Sequence, residues 1–307
     1  AADTGLALAL DARSALRPDL RLVVMSATLQ PGPVAAHLGN AAVHTAEARL
    51  FPVATRLLSR PPSAPLPILA AEAVLRALRE ESGSLLVFLP GEGEIRRTLE
   101  RLRAAPLASD VTLHPLYGAL PREEQDAAVE PPAPGRRKVV LATSIAESSL
   151  TIEGIRVVID TVWMRVPRFS PRNGMSRLET LRITRDRADQ RRGRAGRLCP
   201  GICYRLWDEV TDQQIAPEAL PEIYDADLAA TVLQSAEWGT SARDGLPWLT
   251  PPPDAAWRQA TALLQELGAL RAGAEPRAPA ITPRGRAMAK LPVHPRLAHM
   301  IFEAAQS

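Results

Sequence analysis

Short apolar runs alternate along the middle of the chain with longer stretches whose apolar residues recur at helical spacing. The spacing predicts helices over Ile68–Glu81 and Glu92–Ala104, the second with Ile95, Leu99 and Leu102 on one face, and a short helix from Pro121. Branched apolar runs predict strands over Ser84–Leu89, Val111–Leu116, Lys138–Ala142, Arg156–Asp160 and Gly201–Leu206. Strands that alternate with helices form a mostly parallel sheet covered on both faces, and such sheets bind ligands off the carboxyl ends of their strands. Pro90–Gly91, Tyr117–Gly118 and Thr143–Ser144, each directly after a strand, therefore share one rim.

The flanks read differently. Residues 5–17 have helical spacing and close on the turn Arg17-Pro18-Asp19; Leu20–Met25 then reads as a buried strand running into Ser26-Ala27-Thr28, which on spacing alone is a turn. Four prolines between Pro61 and Pro67 mark a connector. Between Trp207 and Thr240 there are eight acidic residues and no Lys or Arg, a change of charge that places a domain boundary near residue 210. Beyond it come helices over Ala226–Glu237 and Ala255–Leu267, then Gly268–Leu270, a loop and Ile281–Pro283. Two helices and a short extended arm around a glycine describe a small winged-helix module, and a helical bundle fits nearly as well.

Composition narrows the class. With 307 residues, 46% hydrophobic and 23% charged, the chain is long enough for two folded domains and ordinary for a globular protein. It has no apolar run of about eighteen residues, and Gly5–Leu10 is flanked by Asp on both sides with no basic region before it, so neither a membrane span nor a signal peptide is expected. Cys199 and Cys203 fit neither a disulfide framework nor a metal site and are expected to be buried thiols of a cytoplasmic protein. The first residue is Ala and the chain opens directly in a helix, as expected of a piece of something longer. Only Lys138 and Lys290 accompany thirty-five arginines.

Charge is concentrated in one place. From Arg165 to Arg197 eleven arginines face Glu179, Asp186 and Asp189, a local +8 in a chain whose net charge is +3. The segment ends in Gln190-Arg191-Arg192-Gly193-Arg194-Ala195-Gly196-Arg197. A solvated helix face would carry acidic partners at helical spacing, and Asp186 and Asp189 are only two for the seven arginines from Arg182 to Arg197. A planar fork of donors suits phosphoryl oxygens, and the two glycines permit close approach. Phosphate binding, nucleic-acid backbone included, and a structural ion-pair network both remain open at this point.

That octapeptide resembles the last motif of the DEAH-box helicases of superfamily 2. Ser26-Ala27-Thr28 is similar to their third motif, and Leu86–Gly91 with Glu94 and Ile95 to the fourth. Leu116–Pro121 is similar to the segment that follows the fourth, and Leu141–Gly154 to the fifth. Ser144 stands where Asn is more usual and Ser148 where Thr is, and at Val129–Glu130 the family's base-stacking aromatic is lacking. Thr282–Ala289 and Leu291–Leu297 are similar to the winged-helix and following region of the bacterial HrpB-type members. The resemblance covers essentially the whole chain.

It implies a RecA-like α/β domain, a parallel sheet with helices on both faces, over 61–210, followed by a mainly α winged-helix region over 211–295. Residues 1–60 would be the last helix and strand of a first RecA-like domain plus a linker, and 296–307 the start of a further helical domain. It further implies that Gln190 positions the attacking water and that Arg194 and Arg197 act as arginine fingers on the nucleotide. Ser149, Thr151 and Glu153 would sense the nucleotide, Ser26, Ala27 and Thr28 would couple hydrolysis to movement, and Gly91 and Thr143 would contact the nucleic-acid backbone. The implied activity is that of an ATP-dependent RNA helicase, with ATP and Mg2+ as cofactors of the complete enzyme and nucleic acid, RNA in particular, as partner.

The residues also define what is lacking. A P-loop needs G-x-x-x-x-G-K-[ST]; Lys138 is followed by Val and Lys290 by Leu, and no acidic box for magnesium occurs. The chain is expected to bind no nucleotide tightly alone, to contribute no metal ligands and to need the missing N-terminal RecA-like domain as its partner. A non-enzymatic nucleic-acid-binding module or truncated regulator is the alternative, and a winged-helix transcription regulator fits the ordered motifs poorly.

Overall fold

The computed structural model describes residues 2–26, 31–46, 51–147, 150–170, 174–271 and 279–305. In chain order the regular elements begin with helices α1 (Ala2–Ala15) and α2 (Pro31–His37), β1 (Val53–Leu58), α3 (Leu66–Glu80), β2 (Ser84–Phe88) and α4 (Glu92–Arg103). Next come β3 (Val111–Leu116), α5 (Arg122–Val129), β4 (Arg137–Ala142), β5 (Ile155–Asp160), β6 (Trp163–Ser170), β7 (Met175–Arg182), α6 (Arg185–Gly193) and β8 (Gly201–Asp208). The last are α7 (Glu209–Gln214), α8 (Ala229–Trp238), α9 (Asp254–Glu266), β9 (Leu270–Arg271), β10 (Ala280–Ile281), α10 (Pro283–Ala289) and α11 (Pro295–Ala304). They divide between two compact units, one of residues 46–166 and 178–219, the other of 1–45, 167–177 and 220–307.

The first of these units is built on a six-stranded parallel sheet in the order β1-β8-β5-β2-β4-β3. Its central strands are buried on both faces, which is why they read as unbroken apolar runs. Side chains alternate: Leu85, Val87, Val139, Leu141, Val157 and Ile159 face the apolar stripes of α3 and α4, with Ala70, Val74, Ala77, Ile95, Leu99 and Leu102. Leu86, Phe88, Val140, Ala142 and Val158 face the other way, against Ala128 of α5, Ala146 and Ala195. Parallel register sets Phe88 beside Ala142 and Asp160, and Ala142 beside Leu116, so the four strand ends lie abreast. The predicted rim of Pro90–Gly91, Tyr117 and Thr143 follows from that register, and Thr161 joins it.

Two cations close helix ends against this sheet. Arg137 donates its Nε to Gly83 O, Nη1 to Leu78 O and Nη2 to Glu81 O, all 2.8–2.9 Å away, and so satisfies carbonyls that the end of α3 leaves without an intrahelical partner. Lys138, 1% exposed, does the same for α5 through Ala128 O at 2.7 Å and Glu130 O. Burial pulls the Lys138 ammonium below its ordinary value.

The other unit has its own core, with Leu228, Ala229, Val232, Leu233 and Ala236 of α8, Trp257, Ala260 and Leu264 of α9, Met288 of α10 and Ala298 of α11. β9 and β10 pair antiparallel beside them, the short extended arm expected around Gly268. Ala7 of α1 is buried in the same core, and Asp11 accepts a 2.7 Å bond from Trp238 Nε1. Ala298 and Phe302 pack there too, so α11 shares this core with the winged-helix elements.

Several expectations are corrected. Leu20–Met25 is not a strand: residues 20–26 carry no regular structure, and Val23 and Met25 are 80% and 87% exposed. An apolar run becomes a strand only where a neighbouring backbone completes its hydrogen bonds, and no strand among the described residues pairs with this one. Val53–Leu58, assigned to the segment before residue 61, is instead the edge strand beside β8. The acidic segment does not break at 210, because α7 follows β8 directly and the unit continues to Ala219. Trp163–Ser170 and Met175–Arg182, whose arginines were read only as part of an arginine-rich stretch, form β6 and β7, a two-stranded sheet.

Candidate active site

The arginine-rich helix and the loop after β4 meet at one residue. After β4 the chain makes a single 3-10 turn over Ser144–Ala146 and delivers Glu147, 6% exposed, to the flank of α6. On α6 and its 3-10 extension Arg194–Gly196, positions 187, 191 and 194 fall on one helical stripe. All three reach Glu147. Arg187 Nη1 lies 2.8 Å from Oε2, Arg191 Nε and Nη2 lie 2.7 and 2.6 Å from Oε1, and Arg194 donates Nε (3.1 Å) and Nη2 to the Glu147 carbonyl.

Arg191 is the most deeply held cation of the set, 1% exposed. It donates Nη1 to Asp160 Oδ1 at 2.8 Å, and its guanidinium carbon stands 4.7 Å from the centre of the Phe88 ring. Burial opposes its charge, but Asp160 and Glu147 outweigh burial and hold it above an arginine's ordinary value. Asp160 Oδ1 also accepts the Val162 N–H at 3.0 Å, and Val162 sits at φ 68°, a strained conformation for a β-branched residue.

Arg194 and Arg197, paired in the sequence argument, have different surroundings. Arg194 is buried and its third nitrogen, Nη1, donates to Leu150 O at 2.5 Å. Burial, with the charge of Arg197 adding to it, pulls its pKa down to about 10 against the opposing pull of Glu147. Arg197 is exposed and donates Nη1 to Thr151 Oγ1 at 3.0 Å. Gln190, half-buried, stands seven positions before Arg197 on the same helical path, and Glu153 is exposed two residues beyond Thr151. The structure thus brings Arg194, Arg197 and Thr151 together on one wall. Ser149, Ala27 and Thr28 lie outside the described residues, and Ser26 is an exposed residue of the other unit.

Both readings of the arginines apply, to different residues. Arg187 and Arg191 belong to an ion-pair network, as does Arg205, which reaches Asp189 at 2.9 Å and Asp212 at 3.0 Å. Arg197 projects from that network. The glycines divide too: a Cβ on Gly196 would stand 2.6 Å from Phe51 O and 2.7 Å from Val53 Cγ2, and Gly196 O accepts the Phe51 N–H at 2.8 Å. Gly196 admits the chain's own backbone, not a ligand.

On the rim, Thr143 is half-buried with its N–H on Leu116 O at 3.1 Å. Gly91 is the N-cap of α4, and the Arg165 guanidinium occupies the space its side chain would take. Arg165 Nη2 also lies 3.2 Å from Glu94. Sequence reasoning missed Glu147, Asp160, Arg191 and Arg165. The stripe at 187, 191 and 194 was the one available signal, and it named no partner.

The chain has relatives that cover it almost entirely. Residues 69–199 match the helicase conserved C-terminal domain and 260–293 the helicase associated domain (HA2), winged-helix. It is 45% identical to the ATP-dependent RNA helicase HrpB of Escherichia coli over 99% of its own length and 37% of that protein's. It is 36% identical to HrpA of the same organism, over 94% of the chain and 22% of the relative, and 36% identical to the probable ATP-dependent RNA helicase DHX34 of Mus musculus, over 93% and 26%. The crystal structure of the E. coli DEAH/RHA helicase HrpB superposes with a TM-score of 0.89 over 98% of this chain and 37% of that one. The chain therefore spans little more than a third of the HrpB it matches, and over that span, with its RecA-like sheet and winged-helix region, it carries the helicase conserved C-terminal and helicase associated domains and is similar to the C-terminal portion of a DEAH-box helicase of the HrpB type.

Proposed function

We propose that the chain supplies the second half of a composite ATP-hydrolysing site in an RNA helicase, with Arg197 directed at the terminal phosphates. The observation that carries this reading is a contrast along α6 and its 3-10 extension: their arginines are spent on carboxylates and carbonyls, whereas Arg197, directly after them, is exposed and bonded to the Thr151 hydroxyl. Bound ATP with Mg2+ would bring the phosphoryl group whose transfer to water is the reaction. Cationic donors fixed where charge develops on that group lower the barrier by amounts of order a thousandfold in rate. Arg194 would join Arg197 by releasing Leu150 O, Gln190 would orient water, and Thr151 and Glu153 would line the same wall.

The residues present fit the terminal phosphates and not the rest of a nucleotide. Lys138 is committed to the end of α5, and among the described residues no group of three acidic, His or Cys side chains could hold a metal ion. A P-loop domain must therefore come from elsewhere in the complete protein. Gly91, Thr143 and the adjacent Arg165 would hold the nucleic-acid backbone along the strand-end rim, and Ser26–Thr28 would link the halves.

Residues 1–307 alone should show no ATP hydrolysis above buffer, with RNA or without it, and addition of a P-loop RecA-like domain should restore it. Turnover by the isolated chain that Arg197→Ala abolishes would contradict the proposal. Salt-sensitive RNA binding that never responds to nucleotide, even with the added domain, would favour a plain binding module.

A further inference from the structure

We infer that Glu147 is a positioning residue for nucleotide hydrolysis, setting the angle at which the arginine helix presents Arg197. The inference rests on the reading of Arg194 and Arg197 given above. Glu147 uses every acceptor it has on one helix: Oε2 on Arg187, Oε1 on Arg191, and its carbonyl on Arg194. Those residues fall four and three apart on one stripe, so contacts to all three fix the rotation of α6 and its 3-10 extension about the helix axis, not merely their distance from the sheet.

Rotation is what matters at Arg197. Gln190 and Arg197, seven positions apart, share a face adjacent to the anchored stripe. An arginine tip lies roughly 8–9 Å from its helix axis, so a turn of about 20° would move it by about 3 Å. Misplacement of about 1 Å in an active site is enough to cost about a hundredfold in rate. On the same wall the Leu150 carbonyl takes Arg194 and the Thr151 hydroxyl takes Arg197.

Asp160 explains why this role can be separated from folding. It holds Arg191 from the sheet at 2.8 Å independently of Glu147. In Glu147→Gln the buried guanidinium keeps that partner while Arg187 loses its carboxylate, and an amide N–H₂ replaces an acceptor facing a donor. The helix stays docked through Asp160 and through the main-chain carbonyls that hold Arg194, and loses the carboxylate contacts to Arg187 and Arg191 that set its angle.

The test uses the complete enzyme, in which this chain follows a P-loop domain, and compares its affinity for ADP with that for ADP plus aluminium fluoride, a mimic of the transferring phosphoryl group. Affinities are properties of the folded molecules and do not fall with a smaller active fraction. In Glu147→Gln, ADP should bind within about twofold of wild type, while the gain on adding aluminium fluoride should shrink by about tenfold or more. If wild type shows no such gain, the arginine-finger reading is wrong and the role of Glu147 falls with it. If wild type shows the gain and Glu147→Gln keeps it, only the inference on Glu147 is overturned. Should Glu147→Gln fail to fold, Arg187→Gln removes one arm at a part-exposed position. It should reduce the same gain about two- to fivefold, and an unchanged gain would again overturn the inference.

Discussion

Arg191 Nη2 stands 2.6 Å from Glu147 Oε1, with the two side chains 1% and 5% exposed, across a gap of 44 residues in sequence. Removing one member of such a pair leaves the other charged and buried, which costs far more than the pair contributes intact. Arg191→Ala, which removes the cation from buried Asp160 and one of the two from Glu147, should destabilise the sheet-bearing unit by about 3–5 kcal/mol in urea melts. Arg187→Ala, at a position 35% exposed, should cost no more than about 1 kcal/mol. Equal losses from the two variants would mean that burial does not distinguish them.

Gly196 offers a test of which glycines serve the fold. Gly196→Ala drives a methyl against Phe51 O and Val53 Cγ2 and should cost about 1–3 kcal/mol in the same melts. Gly118→Ala meets nothing within 4 Å and should leave stability within about 0.5 kcal/mol of wild type. A neutral Gly196→Ala would remove the packing role assigned to it.

The two thiols should behave differently. Cys203 is fully buried, and burial, helped by the nearby charge of Asp160, pushes its pKa up to about 12, whereas Cys199 is half-buried. Since the thiolate is the reactive form, native protein at pH 8 should titrate one thiol per chain with an aromatic disulfide reagent and two in denaturant. Rapid reaction of both in the native state would contradict the placement of Cys203.

Much of the sheet was legible because β2, β4 and β5 are buried on both faces and leave unbroken apolar runs. β1 was not: it is an edge strand in which Ala54, Thr55, Arg56 and Leu57 are exposed, so no run marks it. β6 and β7 were hidden by their arginines, and Leu20–Met25 misled because an apolar run does not reveal whether a partner strand exists. At the candidate site, Gln190, Arg194 and Arg197 were singled out through the resemblance of one short motif. Glu147 and Asp160 were not, because their bonds to Arg191 join positions 44 and 31 apart and leave no periodic trace. Nor could spacing show that Gly196 meets Phe51 instead of a ligand.

Tyr204 gives a pH dependence of definite sign. Burial, with Glu81 accepting its O–H at 3.1 Å, pushes its pKa up to about 12 from 10.0. The folded chain therefore keeps the phenolic proton between pH 10 and 12 while the unfolded chain releases it, so the stability contributed by this group is full below pH 10 and lost as pH rises through 12. The difference in unfolding free energy between wild type and Tyr204→Phe should be constant up to about pH 10 and decline above it. A difference that grows across that window would contradict the assignment.

Arg197 as the exposed cation of a composite site is tested most sharply by single-turnover ATP hydrolysis in the complete enzyme carrying Arg197→Ala. The rate constant should fall by about a thousandfold or more with ATP affinity within a few-fold of wild type, because the side chain acts on charge that develops only during phosphoryl transfer. A variant that hydrolyses ATP at the wild-type rate would contradict it.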